Sequence, residues 1–405
     1  MRIHIPTLGL AAFVLVSGAA PVGAQSAQAD ETTRTAVIEH EQEEKSNQLH
    51  PYVPGTAERY LDFAETVLTN RNIRWHPFFN NAYAGGGFTL GAGHISHFGS
   101  YNTLDVRGSV TFLGYLRLES EFVVPRLFGR RGTLSLLGGW RKATQVGFYG
   151  VGTDTAQGNR ANYGFQQPYG SATLEVHAHR NPLMVRGGFE VTEWQQKPGS
   201  GSDPSVETIY TPSTLPGLGT SPTYLHSQGT IGLDTRTSPG YTRRGGFYGV
   251  TFHDFSDTGS LYGFTQVDYE ALQHFPILRE AWVVSLHGRV ETTGTKDNQQ
   301  IPFFMLPSNG GGSDLRAFSS WRFRDRNSLL VQAEWRIMVN RFIDTAVFFD
   351  AGKVTPHARD LDLSDLKTDG GFGIRFHGPA ATPLRVDIAH GSEGFGFVFS
   401  ASAIF

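Results

Sequence analysis

Residues 394–405 read GFGFVFSASAIF, and the alternation in this stretch decides the fold. Side chains at i and i+2 of an extended chain point the same way, so Phe395, Phe397, Phe399, Ala401, Ala403 and Phe405 share one face. Glycine, valine, serine and isoleucine take the other. The same split recurs going back along the chain. Leu384, Val386 and Ile388 oppose Arg385 and Asp387; Leu329, Val331, Ala333, Trp335 and Ile337 oppose Gln332, Glu334 and Arg336. Trp282, Val284, Leu286 and Val290 oppose Ser285, His287, Arg289 and Glu291. Ala172, Leu174, Val176 and Ala178 oppose Thr173, Glu175, His177 and His179. Phe112, Leu116, Leu118, Phe122 and Val124 oppose Tyr115, Arg117, Glu119 and Glu121. One face suits lipid, while the other carries charge.

Two architectures produce such alternation: a soluble β-sandwich with one face in its core, and a barrel with lipid outside and a polar interior. The segments run eight to twelve residues between Gly, Asn, Asp, Ser and Pro clusters. A tilted strand crossing a bilayer needs about nine to eleven, whereas sandwich strands average about five or six. Aromatic pairs at segment ends, Phe78-Phe79, Phe148-Tyr149, Phe247-Tyr248 and Phe303-Phe304, are placed where interfacial girdles belong. The reading is therefore all-β, a transmembrane antiparallel β-barrel over residues 74–405. Roughly 330 residues at about twenty per strand and connection give about sixteen strands, with fourteen or eighteen inside the error.

Composition agrees. The 405 residues include 49 Gly, 30 Phe and 14 Tyr, only 39% are hydrophobic, and no segment after the N-terminus is apolar enough for a spanning helix. Cysteine is absent, which excludes disulfides and thiolate metal sites. A net charge of -3 without a basic run points away from a nucleic-acid partner.

Arg2, the apolar stretch from Leu8 to Ala20 and the small residues Val22-Gly23-Ala24 have the layout of a secretory signal peptide, placing its end at residue 24. Residues 25–73 then read as a flexible periplasmic segment. Asp30 to Ser46 is Glu-rich and predicts no fold of its own. Tyr60, Leu61, Phe63, Ala64, Val67 and Leu68 predict one short amphipathic helix behind Thr56 as N-cap, ending near Asn70.

The C-terminal half resembles the bacterial surface antigen family, the barrel superfamily that includes the BamA and TamA assembly proteins and the two-partner secretion translocases. Four stretches carry the resemblance. Gly232-Leu233-Asp234-Thr235-Arg236, with Pro239-Gly240 and Arg244-Gly245-Gly246, is similar to the family's DTRD…P…RG hairpin. Ile301-Pro302-Phe303-Phe304 leading to Gly310-Gly311 resembles the approach to its longest loop. Leu315-Arg316-Ala317-Phe318 resembles that loop's tip, (V/L)RG(F/Y), and Phe348-Phe349-Asp350-Ala351-Gly352 resembles the F-x-D-x-G strand. The resemblance implies that the loop folds into the barrel and that Arg316 meets Asp350, with Leu315, Ala317, Phe318, Phe349 and Gly352 around them. An Arg in a wet lumen keeps its charge best where a carboxylate accepts its fork of donors. Ala317 departs from the family's glycine; if that position needs positive φ, strain of about 1 kcal/mol is expected.

The final strand, with Phe395, Phe397, Phe399 and the terminal Phe405, resembles the signal by which the barrel-assembly machinery recognises its clients. The family's POTRA domains do not fit into residues 25–73, so a separate periplasmic partner is one expectation. What the resemblance implies is insertion or translocation of proteins or lipids at the outer membrane of a Gram-negative cell, in contact with its lipid. The alternative is a passive or gated channel, suggested by inward residues of both signs from Arg117 to Asp387. An enzyme is not expected. Neither G-x-S-x-G nor G-x-G-x-x-G occurs, and His40-Glu41-Gln42-Glu43-Glu44 lacks a zincin's second His. Glu175, His177 and His179 share a strand face and could meet a metal, but such a trio more commonly lines a polar lumen. No cofactor is expected.

Overall fold

The computed structural model describes residues 34–48, 55, 56, 59, 74–179, 181–278, 280–378, 381–401 and 404. The signal peptide, most of the helix expected between Thr56 and Asn70, Ala403 and Phe405 lie outside the described residues.

In the N-terminal unit, Arg34–Gln48 forms a helix, α1, where the sequence reading expected a chain without structure. The correction has a local cause. Ala36, Glu39, Glu41, Gln42, Glu43, Glu44 and Lys45 are strong helix formers, and propensity summed over such a window favours a helix without an apolar stripe. Side chains from Val37 to Lys45 are exposed.

Among the described residues the second unit is built on one antiparallel sheet of seventeen strand segments, two of which are one strand interrupted at Trp194, giving sixteen strands. They are β1 (Trp75–Pro77), β2 (Thr89–Phe98), β3 (Asn102–Thr111), β4 (Leu116–Arg126), β5 (Gly132–Phe148), β6 (Ala161–His177), β7 (Leu183–Glu193, continuing as Gln195–Pro198) and β8 (Thr223–Asp234). The second half comprises β9 (Gly245–Asp257), β10 (Phe264–Ile277), β11 (Trp282–Thr295), β12 (Asn327–Asn340), β13 (Ile343–Thr355), β14 (Lys367–Phe376), β15 (Leu384–Gly391) and β16 (Gly394–Ser400). Every strand pairs with its sequence neighbour, from β1 on β2 to β15 on β16, which is the meander of an up-and-down barrel. In lipid only such lateral pairing can satisfy backbone groups that water does not reach.

Register sorts the side chains as the alternation requires. Ile231, Val250 and Tyr269 stand side by side across β8, β9 and β10 and are exposed on the outer wall. One position along, Thr230 and Thr251 face inward and share a 3.0 Å hydrogen bond. Short connections sit at the end that also holds both ends of the sheet, so this end is periplasmic and the longer loops are external.

The aromatic girdle needs correcting. Phe148, Tyr149, Phe303 and Phe304 are buried, and Phe78 lies inside the barrel beneath the guanidinium groups of Arg107 and Arg117. β5 and β6 each run 17 residues, too long for the bilayer alone, and their upper ends carry aromatics into a plug beneath the external loops. Phe148, Tyr163, Phe165, Trp194, Phe264 and Phe303 form its centre. Of the expected girdle, Tyr248 is the clearly outward member.

At the periplasmic end the connection 235–244 folds back over the mouth. Tyr241 stacks on His377 with centroids 4.0 Å apart and donates to Asp344 at 2.6 Å. Burial, with that carboxylate beside it, holds the Tyr241 phenol well above its ordinary pKa and keeps it a donor.

Val250→Arg, on the lipid face near the middle of β9, should cost about 2–4 kcal/mol of unfolding free energy in phospholipid vesicles. Thr251→Arg, one residue along and lining a lumen cavity of about 510 Å³, should cost less than half as much. Equal costs would contradict the assignment of faces.

Candidate functional site

The connection between β11 and β12, residues 296–326, turns inward as a narrow hairpin. Ser308 and Asn309 pair with Arg324 and Phe323 at its neck. Gly310 and Gly311 begin the descent at φ of 122° and 105°. A Cβ on Gly310 would lie 2.5 Å from the Ser319 carbonyl oxygen, so only glycine fits there. Asn309 donates to the carbonyls of Leu329 and Lys353 at 3.0 Å each, fastening the neck to β12 and β13. A Cβ on Gly352 would meet that amide at 3.1 Å, so the glycine makes room for the fastening.

At the tip, the Arg316 side chain has no solvent exposure. Its Nε stands 3.0 Å from Oδ2 of Asp350, and its Nη2 donates to Oδ1 at 3.4 Å. Nη1 reaches Glu334 at 3.1 Å and Asp387 at 3.4 Å. The guanidinium lies over the ring of Phe348, 3.6 Å from its centre. Arg375 bridges the same two carboxylates, donating to Glu334 at 2.7 Å and to Asp387. Arg385 stands 3.5 Å from Asp387 and donates to the Gly312 carbonyl at 2.7 Å. The guanidinium groups of Arg316, Arg375 and Arg385 thus interlock with the carboxylates of Glu334, Asp350 and Asp387, with Arg336 3.9 Å from Glu334 and the buried Asp369 close by. Asp369 accepts the Ala317 N–H at 3.0 Å, and Gln332 donates to both Asp350 and the Asp314 carbonyl.

Leu315 and Phe318 pack with Phe323, Leu330 and Val354 in a small apolar cluster, with Ala317 at its edge. Ala317 is not among the residues with positive φ, so the departure from glycine brings no strain there. Phe349 faces lipid, paired with Ala333 and Gly370, and takes no part. Its neighbour Phe348 is the ring beneath Arg316. Parity with Asp350 separates the two: residues at even positions of β13 face the lumen. Arg322 and Arg324 were not singled out by motif, yet both are buried. Arg322 binds Glu393 at 2.7 Å in the turn between β15 and β16, and Arg324 reaches the Tyr163 hydroxyl at 3.0 Å. Their signal in sequence is an alternation, W-R-F-R, inside a loop.

The loop tip presses on the last hairpin. A Cβ on Gly396 would lie 2.3 Å from the Arg316 carbonyl oxygen, and one on Gly391 would touch Ala317 and Phe318. Phe395, Phe397 and Phe399 point the other way, 71%, 77% and 59% exposed.

The two ends of the sheet meet at a seam. Among the described residues β1 pairs with Ala92, Gly93 and His94, with flanking hydrogen bonds from Phe78 N–H to Gly91 and from Ile95 N–H to Arg74. After Phe78 the chain leaves the wall and enters the lumen, where the carbonyls of Asn80, Asn81, Ala82 and Ala84 accept from Ser109, Arg117, Arg141 and Trp321. Beside the last strand this leaves a cavity of about 400 Å³ between Phe79, Asn81, Phe88 and Thr89 on one side and Leu384, Phe399 and Ser400 on the other. Among the described residues β16 is laddered along one edge only, to β15. Glu175, of the strand-face trio, is engaged by Arg186 and His177, the latter at 2.8 Å.

The profile of one family, described as the Omp85 superfamily domain, matches residues 97–405. The chain belongs to the Omp85 superfamily. Among solved structures, this Omp85 barrel is similar to BamA from Haemophilus ducreyi lacking POTRA domains 1–3, with 15% identity and a TM-score of 0.60, covering 78% of this chain and 68% of that one. CdiB from Acinetobacter baumannii (13% identity, TM-score 0.51) is covered over 56% of its length by 78% of this chain. CdiB from Escherichia coli (12% identity, TM-score 0.51) is covered over 59% by 80% of this chain. No curated protein matches by sequence. At these identities the likeness speaks for the fold. Superfamily and architecture together make this an outer-membrane β-barrel of a Gram-negative bacterium.

Arg316→Ala leaves Asp350 without its arginine, while Arg375 still bridges Glu334 and Asp387, and removal of one partner from a buried ionic group costs about 3–5 kcal/mol. The barrel should still assemble but lose its folded gel mobility at a lower temperature than the parent; unchanged heat resistance would dismiss the loop anchor. Gly396→Val should act at the same place from the other side, exposing the 310–320 tip to limited trypsin cleavage that the parent resists.

Proposed function

We propose that this Omp85 barrel inserts or translocates proteins or lipids at the outer membrane through its seam. The observation that carries the reading is the seam. Among the described residues the last strand is paired along one edge and faces a cavity beside Phe88 and Phe399, and the strand that would cover it leaves the wall after Phe78. An unpaired strand edge is a template for another strand. The loop in the lumen, the aromatic plug above it and the Tyr241 turn below favour a route along the wall over a passive pore down the axis.

Residues 1–24 are proposed as the signal peptide, 25–73 as a periplasmic segment and 74–405 as the barrel. Phe395, Phe397, Phe399 and Phe405 are proposed to be read by the barrel-assembly machinery during this protein's own insertion. A separate periplasmic partner would deliver the client. Arg316, with Asp350, Glu334 and Asp387, would hold the loop while the seam works.

The test is reconstitution in liposomes, scoring in one preparation small-solute efflux and the insertion rate of a second, unfolded barrel. Faster insertion with little efflux is expected. Efflux without faster insertion would make the protein a pore and end the seam reading while leaving the fold untouched.

A further inference from the structure

Among the described residues the turn between β4 and β5 has the longest run of positive φ of any periplasmic connection, the β10–β11 turn having Leu278 and Glu280. Arg126, Phe128, Gly129 and Arg130 have φ of 66°, 50°, 70° and 73°, a left-handed turn in which three of four residues are not glycine. Such a conformation persists only where the surroundings hold it. Here the Phe128 ring lies across Gly132, where a Cβ would come within 2.7 Å of a ring carbon. Gly132 shares the parity of Leu134 and Leu136, which pair with Val124 and Phe122 on the lipid face. The turn is therefore folded outward, setting Phe128, 64% exposed, on the lipid side of the periplasmic rim.

Charge follows the same direction. Arg126 has the parity of Phe122 and Val124, and its guanidinium lies 3.6 Å from the ring centre of Tyr101, itself half-exposed in the next turn. Arg130 and Arg131 are exposed beside it. The carboxylates of the flanking strands are engaged in the lumen: Glu121 by Arg107, Glu119 by Arg117 and Arg107, and Glu175 by Arg186. Among the described residues Arg126, Arg130 and Arg131 have no ion-pair partner. Three unneutralised guanidinium groups and two aromatic rings at the edge of the hydrocarbon match one class of ligand. A phosphodiester fits the planar fork of Arg, and acyl chains attached to it run up the wall beside Phe128.

We propose that this turn is a headgroup site for an anionic phospholipid of the periplasmic leaflet, with Arg126, Arg130 and Arg131 on the phosphate and Tyr101 and Phe128 against the first acyl carbons. An acidic protein would have no need of rings folded onto the lipid face, and a free phosphate would not use them.

The protein, purified from membranes in a non-ionic detergent, is to be mixed with equimolar phosphatidylglycerol and phosphatidylcholine and examined by native mass spectrometry. Phosphatidylglycerol should be retained in preference by about tenfold or more, since each Arg near a membrane surface contributes roughly 1 kcal/mol toward anionic lipid. The triple variant R126Q/R130Q/R131Q should bring the ratio to near one while keeping its heat-modifiable mobility, and Phe128→Ser should weaken retention of both lipids alike. Equal retention by the unmodified chain would overturn the proposal without recourse to any variant. So would a preference that survives the triple substitution, or complete displacement of the lipid by millimolar inorganic phosphate.

Discussion

A backbone group facing hydrocarbon has no water to turn to, so every N–H and C=O in the spanning region must be paired across strands. Most of this architecture follows from that. Pairing fixes an antiparallel meander; the meander fixes two faces; and because lipid claims one face, all charge must go to the other. Arg117, Glu119, Arg289, Glu334, Arg375 and Asp387 are thus placed inside by what the outer wall cannot accept. The interior then has to be reconciled with itself. Arg107 spans Glu119 and Glu121 on the neighbouring strand, and Arg316 with Arg375 spans Glu334 and Asp387 across the lumen.

Arg316 differs from the others in arriving on a loop. Wall arginines are held in place by the sheet whether or not they are paired, but Arg316 reaches the lumen only because 310–320 fold inward, and its charge could remain in water if they did not. The loss of hydration is offset by Asp350, Glu334 and Asp387 together, and by the face of Phe348. The pocket also depends on absent side chains: Gly352 admits Asn309, and Gly396 admits the Arg316 carbonyl. Ala317 is unstrained because its φ is not positive, and its methyl rests against the last hairpin.

What could be read in the sequence were the features with a period. Alternation places Val331, Ala333 and Trp335 opposite Gln332 and Glu334, and the resemblance of the loop tip and the F-x-D-x-G strand to family motifs implies the pairing of Arg316 with Asp350. What could not be read were contacts without one. Phe148 and Phe303 look like girdle residues because strand-end aromatics serve both for a girdle and for a plug, and only the inward course of the loops distinguishes them. Phe78 sits at a strand end too, yet the chain turns there into the lumen, captured by donors from β3, β4, β5 and the long loop that no local pattern announces. α1 is hidden for the opposite reason: its charge density suggests disorder although the individual residues favour a helix. Arg322 and Glu393 are 71 positions apart, and nothing local in either stretch marks the other as partner.

That last pair bears on how the seam can move. β15 has 8 residues, about 27 Å along a strand and less across a tilted wall, against 17 in β5 and β6. Near its end the barrel therefore covers less hydrocarbon than elsewhere, and the bilayer must thin or the strand edge must meet headgroups. The same hairpin carries the loop: Arg322 holds its turn through Glu393, Ala317 and Phe318 rest on Gly391, and the Arg316 carbonyl rests on Gly396. On the other side of the seam, Trp321 of that loop holds the Ala84 carbonyl and stacks on Tyr83 at 4.4 Å. One loop thus grips both edges of the gap, the last strand through Arg316 and Arg322 and the displaced first segment through Trp321. Widening the seam must either carry the loop with one edge or break its hold on the other, so loop position and seam width cannot vary independently.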